Sequence, residues 1–195
     1  MKKEQLYELF NIDDLRHLPE AIMSLIEGDI ENRNNVYKEL LRMNNYDLSF
    51  DWFSSIYEMQ MAQRKTLKQD FTPNSVARLA SLLTGNLKGR IHEPTAGNGS
   101  MIIADWWVRC QKGMPWDFRP SENMVYCWEL SSSCIPILLL NLSVRGIMGY
   151  VFHGDVLTFE VKSKYILLNK KDDPLSFSDI TKDDGSNMFI QKVKK

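Results

Sequence analysis

The stretch Glu93-Pro94-Thr95-Ala96-Gly97-Asn98-Gly99-Ser100 decides how the rest of the chain is read. A short apolar lead-in, Arg90-Ile91-His92, precedes it, and an apolar segment with helical spacing, Met101 to Cys110, follows it. The order is strand, acid, tight turn with two glycines, helix. Gly has no Cβ, so a bound molecule can lie against bare backbone in such a turn. The turn lacks the Gly-Lys-Ser/Thr of a phosphate-cradling loop. A second phrase, Gln69-Asp70-Phe71-Thr72-Pro73, stands about twenty residues upstream.

Downstream of Gln69, strand-like and helix-like segments alternate, which predicts an α/β unit. Pro73 and Asn74 lead into a helix through Val76, Leu79, Ala80, Leu82 and Leu83, ended by Gly85 and Gly89. Strand one is Ile91 to Pro94, and its helix is Met101 to Cys110. After a loop from Gly113 to Asn123 comes strand two, Met124 to Glu129, and then a helix from Ile135 to Arg145, closed near Gly146. Strand three is Gly149 to His153, followed by Gly154-Asp155; strand four is Tyr165 to Asn169. A last apolar alternation falls at Met188, Phe189, Ile190 and Val193.

Residues 1 to about 66 read as helical. Leu6, Leu9 and Phe10 form one apolar face, and Pro19 starts a helix carrying Ile22, Met23, Leu25 and Ile26 that stops near Gly28. Val36, Tyr37, Leu40 and Leu41 give the next stripe, and Asp51 is placed to cap a helix carrying Trp52, Phe53, Ile56, Tyr57 and Met61. The expected division is a helical N-terminal domain over 1–66 and an α/β domain over 67–195. The helical part carries no nameable chemistry and reads as a packing or docking module.

Among its 195 residues the net charge is −1, so no global basic field announces nucleic acid. Cys110, Cys127 and Cys134 form no metal-binding or redox pair; an odd count fits a reducing, cytoplasmic setting, with the thiols buried as small apolar groups. The longest apolar run, Ile135 to Leu142, is too short to cross a membrane and holds Pro136 and Asn141. The N-terminus opens onto an acid-bearing amphipathic segment rather than a secretion signal. No metal-ligand spacing occurs. His92 and His153 read as strand residues, and Trp106 and Trp107 as core.

Three strands end on acid-bearing turns, at Glu93, Glu129 and Asp155. In an open parallel sheet, ligands bind outside the carboxyl ends of the strands, so the three acids converge on one crevice. No phosphate ligand needs that. A cationic, phosphate-free nucleoside such as S-adenosylmethionine suits it, with carboxylates taking ribose hydroxyls, the adenine amino group and the charged amino-acid end.

The order Phe71-Thr72-Pro73, Glu93 to Ser100, Glu129, then Gly154-Asp155 resembles the adenine-N6 DNA methyltransferases, above all the modification subunits of type I restriction systems. The family's phrases are Phe-Thr-Pro and Asp-Pro-x-x-Gly-x-Gly-Gly; here Glu93 stands for the Asp and Ser100 for the last Gly. The resemblance spans roughly residues 69 to 169. It implies a Rossmann-like S-adenosylmethionine-dependent methyltransferase fold, its sheet shortened at the C-terminal side, behind the helical domain. It implies that Phe71, Thr72 and Pro73 line the cofactor's methionine end, and that Glu93, Thr95, Ala96, Gly97 and Asn98 form the turn beneath it. Glu129 takes the ribose, with Leu130 on the adenine face; Asp155 holds the adenine amino group, with Val156 beside it.

The family's catalytic phrase is Asn/Asp-Pro-Pro-Tyr/Phe at the end of strand four, whose Asn accepts from the target amino group while the aromatic stacks on a flipped base. By register it corresponds to Asn169-Lys170-Lys171-Asp172, which keeps the Asn and lacks both prolines and the aromatic. Phe177, eight positions on, is the candidate stacking ring. The expected function is an adenine-N6 DNA methyltransferase or a subunit of one, with DNA as substrate and a protein partner supplying target recognition or completing the sheet. The alternative is a catalytically silent module that keeps the cofactor fold for binding DNA or protein. Methyl transfer to a protein or RNA nitrogen is a third, weaker option.

Overall fold

The structure, a computed structural model, describes residues 3–54, 72–84 and 89–183. Three helices open the chain: α1 (Lys3–Phe10), α2 (Leu18–Glu27) and α3 (Ile30–Met43). Pro19 lies in the first turn of α2, where its missing N–H costs nothing. Asp29 caps α3 by accepting from the Asn32 N–H at 2.8 Å. Asn74–Thr84 forms α4, then β1 (Ile91–Glu93), α5 (Ser100–Cys110), β2 (Val125–Glu129), α6 (Cys134–Val144), β3 (Gly149–Asp155), β4 (Glu160–Leu168) and β5 (Asp179–Asp183) follow.

The five strands form one open sheet in the order β1-β2-β3-β4-β5. The first three are parallel, with Val125 beside Ile91 and Gly149 beside Val125. β3–β4 and β4–β5 are antiparallel. The sheet is therefore mixed rather than parallel throughout. The reason is connection length. β4 begins at Glu160, five residues before the expected start, leaving Val156 to Phe159 as the link from β3. A parallel crossover needs about a dozen residues or more, so four can only make a hairpin. β5 is a strand that sequence reading did not foresee.

Every residue of α6 is buried. It lies on the face of the sheet that carries Val125, Cys127 and Val151, and α2 packs against it from outside. The buried apolar residues of α1–α3, the 48–53 segment, α5, α6 and the sheet form one continuous cluster. Trp106 is buried in it and Trp107 packs on its margin, as core residues should, whereas Trp116 is exposed. Arg33 on α3 pairs with Asp179 on β5 at 2.9 Å, tying the helical part to the last described strand. The expected domain boundary at 66/67, the distal half of the helix begun at Asp51, Phe71 and the apolar alternation from Met188 lie outside the described residues. Among the described residues, no helix is long and apolar enough to cross a membrane.

Candidate functional site

Parallel pairing brings the ends of β1, β2 and β3 to the same edge of the sheet, and a cavity of about 480 Å³ opens there. That volume lies in the range of small-molecule sites. One wall is the glycine turn, Pro94 to Gly97, with Ser100 and Met101 at the head of α5. The opposite wall is Glu129, Leu130 and Cys134; Gly154, Asp155, Val156 and Leu157 close one side, and Thr72 the mouth. Of the residues expected at the site, Thr72, Thr95, Ala96, Gly97, Glu129, Leu130, Asp155 and Val156 all line it. Pro94, Ser100 and Gly154, from the same phrases, and Met101, Cys134 and Leu157 join them although none had been assigned to the site.

The turn is held by several independent bonds. The Ala96 N–H donates to the Trp128 carbonyl at 2.8 Å, and the Gly99 N–H to the Ala96 carbonyl at 2.8 Å. Gly99 has φ +96°, and a Cβ there would come within 2.9 Å of Leu138 Cδ1, so both conformation and packing select glycine. Glu129 is buried, and both its oxygens are fixed: Oε2 accepts from the Gly97 N–H and Oε1 from the Ser131 N–H, each at 2.7 Å. Backbone amides thus aim this carboxylate, with no counter-cation among the described residues. Asp155 Oδ1 accepts from the Leu157 N–H at 2.8 Å, and Oδ2 has no hydrogen-bond partner among the described residues. Glu129 and Asp155 are the only charged residues lining the cavity among those described, so its field is negative.

Glu93 turns back on its own loop, Oε1 accepting from the Thr95 N–H at 3.1 Å, and borders a separate groove shared with α4. Pro73 sits at the head of α4, its carbonyl accepting from the Val76 and Ala77 N–H groups, and does not line the cavity. Asn98 points inward: its side chain is fully buried, and its carbonyl accepts from Asn141 Nδ2 at 2.9 Å. Asn141 Nδ2 also donates to Asp51 Oδ1 at 2.8 Å, and Arg145 donates to the Asn141, Leu48 and Phe50 carbonyls. This buried network joins the underside of the turn to the 48–51 segment. Burial pushes the Asp51 carboxyl up from its ordinary range, against the pull of the Phe53 N–H, Asn141, Arg145 and Asn98. Its one sequence signal is Asn141, a polar residue within an apolar run.

Asn169 does not join the cavity. Because β4 runs antiparallel to β3, its end lies where β3 begins, roughly 20 Å away at the rise of an extended strand. Its Nδ2 donates to the Asp173 carbonyl at 2.7 Å, Ser176 at 3.0 Å and Gly146 at 3.2 Å. Oδ1, the atom that would accept from a target amino group, is buried without a partner among the described residues. Phe177 is likewise occupied, packed edge-on against Tyr37 at 5.2 Å.

No curated protein matches the chain. A model of the N-6 DNA methylase family, however, matches residues 48–182, more than two thirds of the chain, from the Asp51 network through the glycine turn to β5. By that match and by the acid-lined crevice at its centre, the chain belongs to the N-6 DNA methylase family.

Proposed function

We propose that this chain is the cofactor-binding part of an adenine-N6 DNA methyltransferase, a relative of type I modification subunits, and that its cofactor is S-adenosylmethionine. The observation that carries this is the lining of the cavity: two carboxylates, no cation among the described residues, and bare backbone at Gly97 beside the small side chain of Ala96. That set fits a cationic nucleoside and disfavours a phosphorylated one. S-adenosylmethionine supplies a methyl group activated by a positively charged sulfur. The chain's own residues do the holding. Glu129, already fixed by two amides, keeps lone pairs for ribose hydroxyls. Asp155 offers Oδ2 to an amino group, Leu130 and Val156 give apolar walls, and Thr72, Thr95, Ala96 and Gly97 enclose the remaining end. Glu93 and Asn98 support the turn from behind, Pro73 seats Thr72, and Phe71 stands next in sequence to that wall. The Rossmann-like arrangement and a helical N-terminal domain over 1–66, sharing its core with the sheet, belong to this proposal, as does a protein partner that supplies target recognition or covers the edge of β1 that is unpaired among the described residues. The test is transfer of labelled methyl groups to unmethylated DNA, alone and with candidate partner subunits. Labelled adenine-N6 supports the proposal; no transfer and no cofactor binding would overturn it.

A specific observation favours a second reading, a catalytically silent module that binds cofactor and DNA or protein. Asn169, the residue aligned with the family's catalytic phrase, is at the far end of the sheet with its amide consumed in a turn. Tight cofactor binding without methyl transfer, in every partner combination, would establish it.

A further inference from the structure

Helix α4 is built inside out. Its small residues face the protein: Ala77 and Ser81 are buried and Ala80 half-buried, on the side packed against α5. Ser81 Oγ donates to the Ala77 carbonyl one turn back, at 3.0 Å. Its large residues face outward: Val76 is 51% exposed, Leu79 58%, Leu82 55% and Leu83 77%. A surface helix ordinarily does the reverse, burying its apolar stripe and showing charge. Val76, Leu79 and Leu83 follow one another at three and four residues, so they share one face, with Leu82 alongside. Such a patch is on the order of 400 Å², a size that often marks an interaction site. Arg78 is the one charge on α4, and it stands off the stripe.

We propose that this face joins α4 to the same helix of a second copy of the chain, in an antiparallel pair about a two-fold axis. Three observations select a second copy. The spacing is symmetric about Leu79: Val76 lies three residues before it and Leu83 four after, so an antiparallel copy sets Val76 against Leu83 and Leu79 against Leu79, as an isologous interface requires. The stripe is uncharged, so it offers a charged partner nothing to pair with and a copy of itself nothing to repel; the net charge of the chain, −1, adds little repulsion. The patch supplies about half of the ~800 Å² that each partner buries in a stable interface, and Ser75 and Arg78, exposed beside it, belong to the polar rim. Thr72, at the cavity mouth, stands two residues before α4, so the pair carries one cavity at each end of its joined helices.

The test is analytical sedimentation of the full chain from low to several hundred micromolar. The mass of the parent protein doubles as concentration rises. Leu79→Glu and Leu79→Lys each set like charges against one another across the axis and stay single chains at every concentration; an equimolar mixture of the two recovers the dimer through opposite charges. Both variants melt with the parent at the lowest concentration, where all are monomers, because Glu and Lys are good helix formers and Leu79 faces solvent there. A parent that stays monomeric throughout would overturn the proposal and leave the face to a different protein. So would a parent dimer that Leu79→Glu leaves intact, or a mixture that does not pair. Variants that melt lower than the parent as monomers would overturn it too, since Leu79 would then pack within its own chain.

Discussion

At the end of the sheet where β1, β2 and β3 finish, Glu129 and Asp155 are held by backbone amides at the wall of an open cavity. At the other end, Asn169 is held by three backbone carbonyls inside a closed turn. Both arrangements use local backbone groups to fix a polar side chain. The first leaves carboxylate lone pairs for a ligand. The second spends the amide hydrogens on the fold and buries the remaining oxygen. Placing a polar residue at a strand end is therefore not enough to make it functional; strand direction decides which end it occupies.

The strongest way to break this contrast is Glu129→Ala. It removes a ligand carboxylate and the acceptor for the Gly97 and Ser131 N–H groups together. S-adenosylmethionine affinity falls on the order of 100-fold or more, as expected for losing two charge-assisted bonds. Equilibrium dialysis measures it, and unchanged affinity would move the cofactor elsewhere. Asp155→Ala removes one such bond and weakens binding about tenfold in the same assay. Asn169→Ala is the mirror experiment. It strips donors from the Gly146, Asp173 and Ser176 carbonyls and costs about 1–3 kcal/mol in denaturant unfolding. Cofactor affinity in the folded variant stays at the parent value. A loss of affinity would place Asn169 in the site after all.

The smallest effect sharpens the link beneath the turn. Asp51 has its carboxyl pKa raised by burial, so it takes up a proton more readily folded than unfolded. Its contribution to stability is complete below the ordinary carboxyl range, near pH 4, and is lost as pH rises through the raised folded value. Asp51→Asn cannot titrate. Chemical unfolding of parent and variant across that window should show the parent losing stability relative to Asp51→Asn as pH rises; parallel curves would mean that Asp51 is not titrating there.

Much of the cavity was legible in the sequence because its signals are local. The glycine turn, the acids ending β2 and β3, and the strand–turn–helix order each depend on a few adjacent residues, and the structure brings them to one edge. Asn169 was misplaced because its location depends on a non-local quantity, the direction of β4. The available clue was a link too short for a crossover, masked by reading the strand as starting at Tyr165 instead of Glu160. The Asp51–Asn141–Arg145 network was legible only as a polar Asn141 in an apolar run, for a related reason: Asp51 lies 90 residues from Asn141, and the two meet only once α6 is buried.

The most direct measurement is a titration of the isotopically labelled full chain with S-adenosylmethionine, followed by backbone amide chemical shifts. The amides of Gly97, Ser131 and Leu157, which donate to Glu129 and Asp155, are predicted to move together and saturate. Those of Asp172, Ser176 and Ser178, in the turn around Asn169, are predicted to stay in place. Shifts concentrated around Asn169, or none anywhere up to millimolar cofactor, would contradict the account.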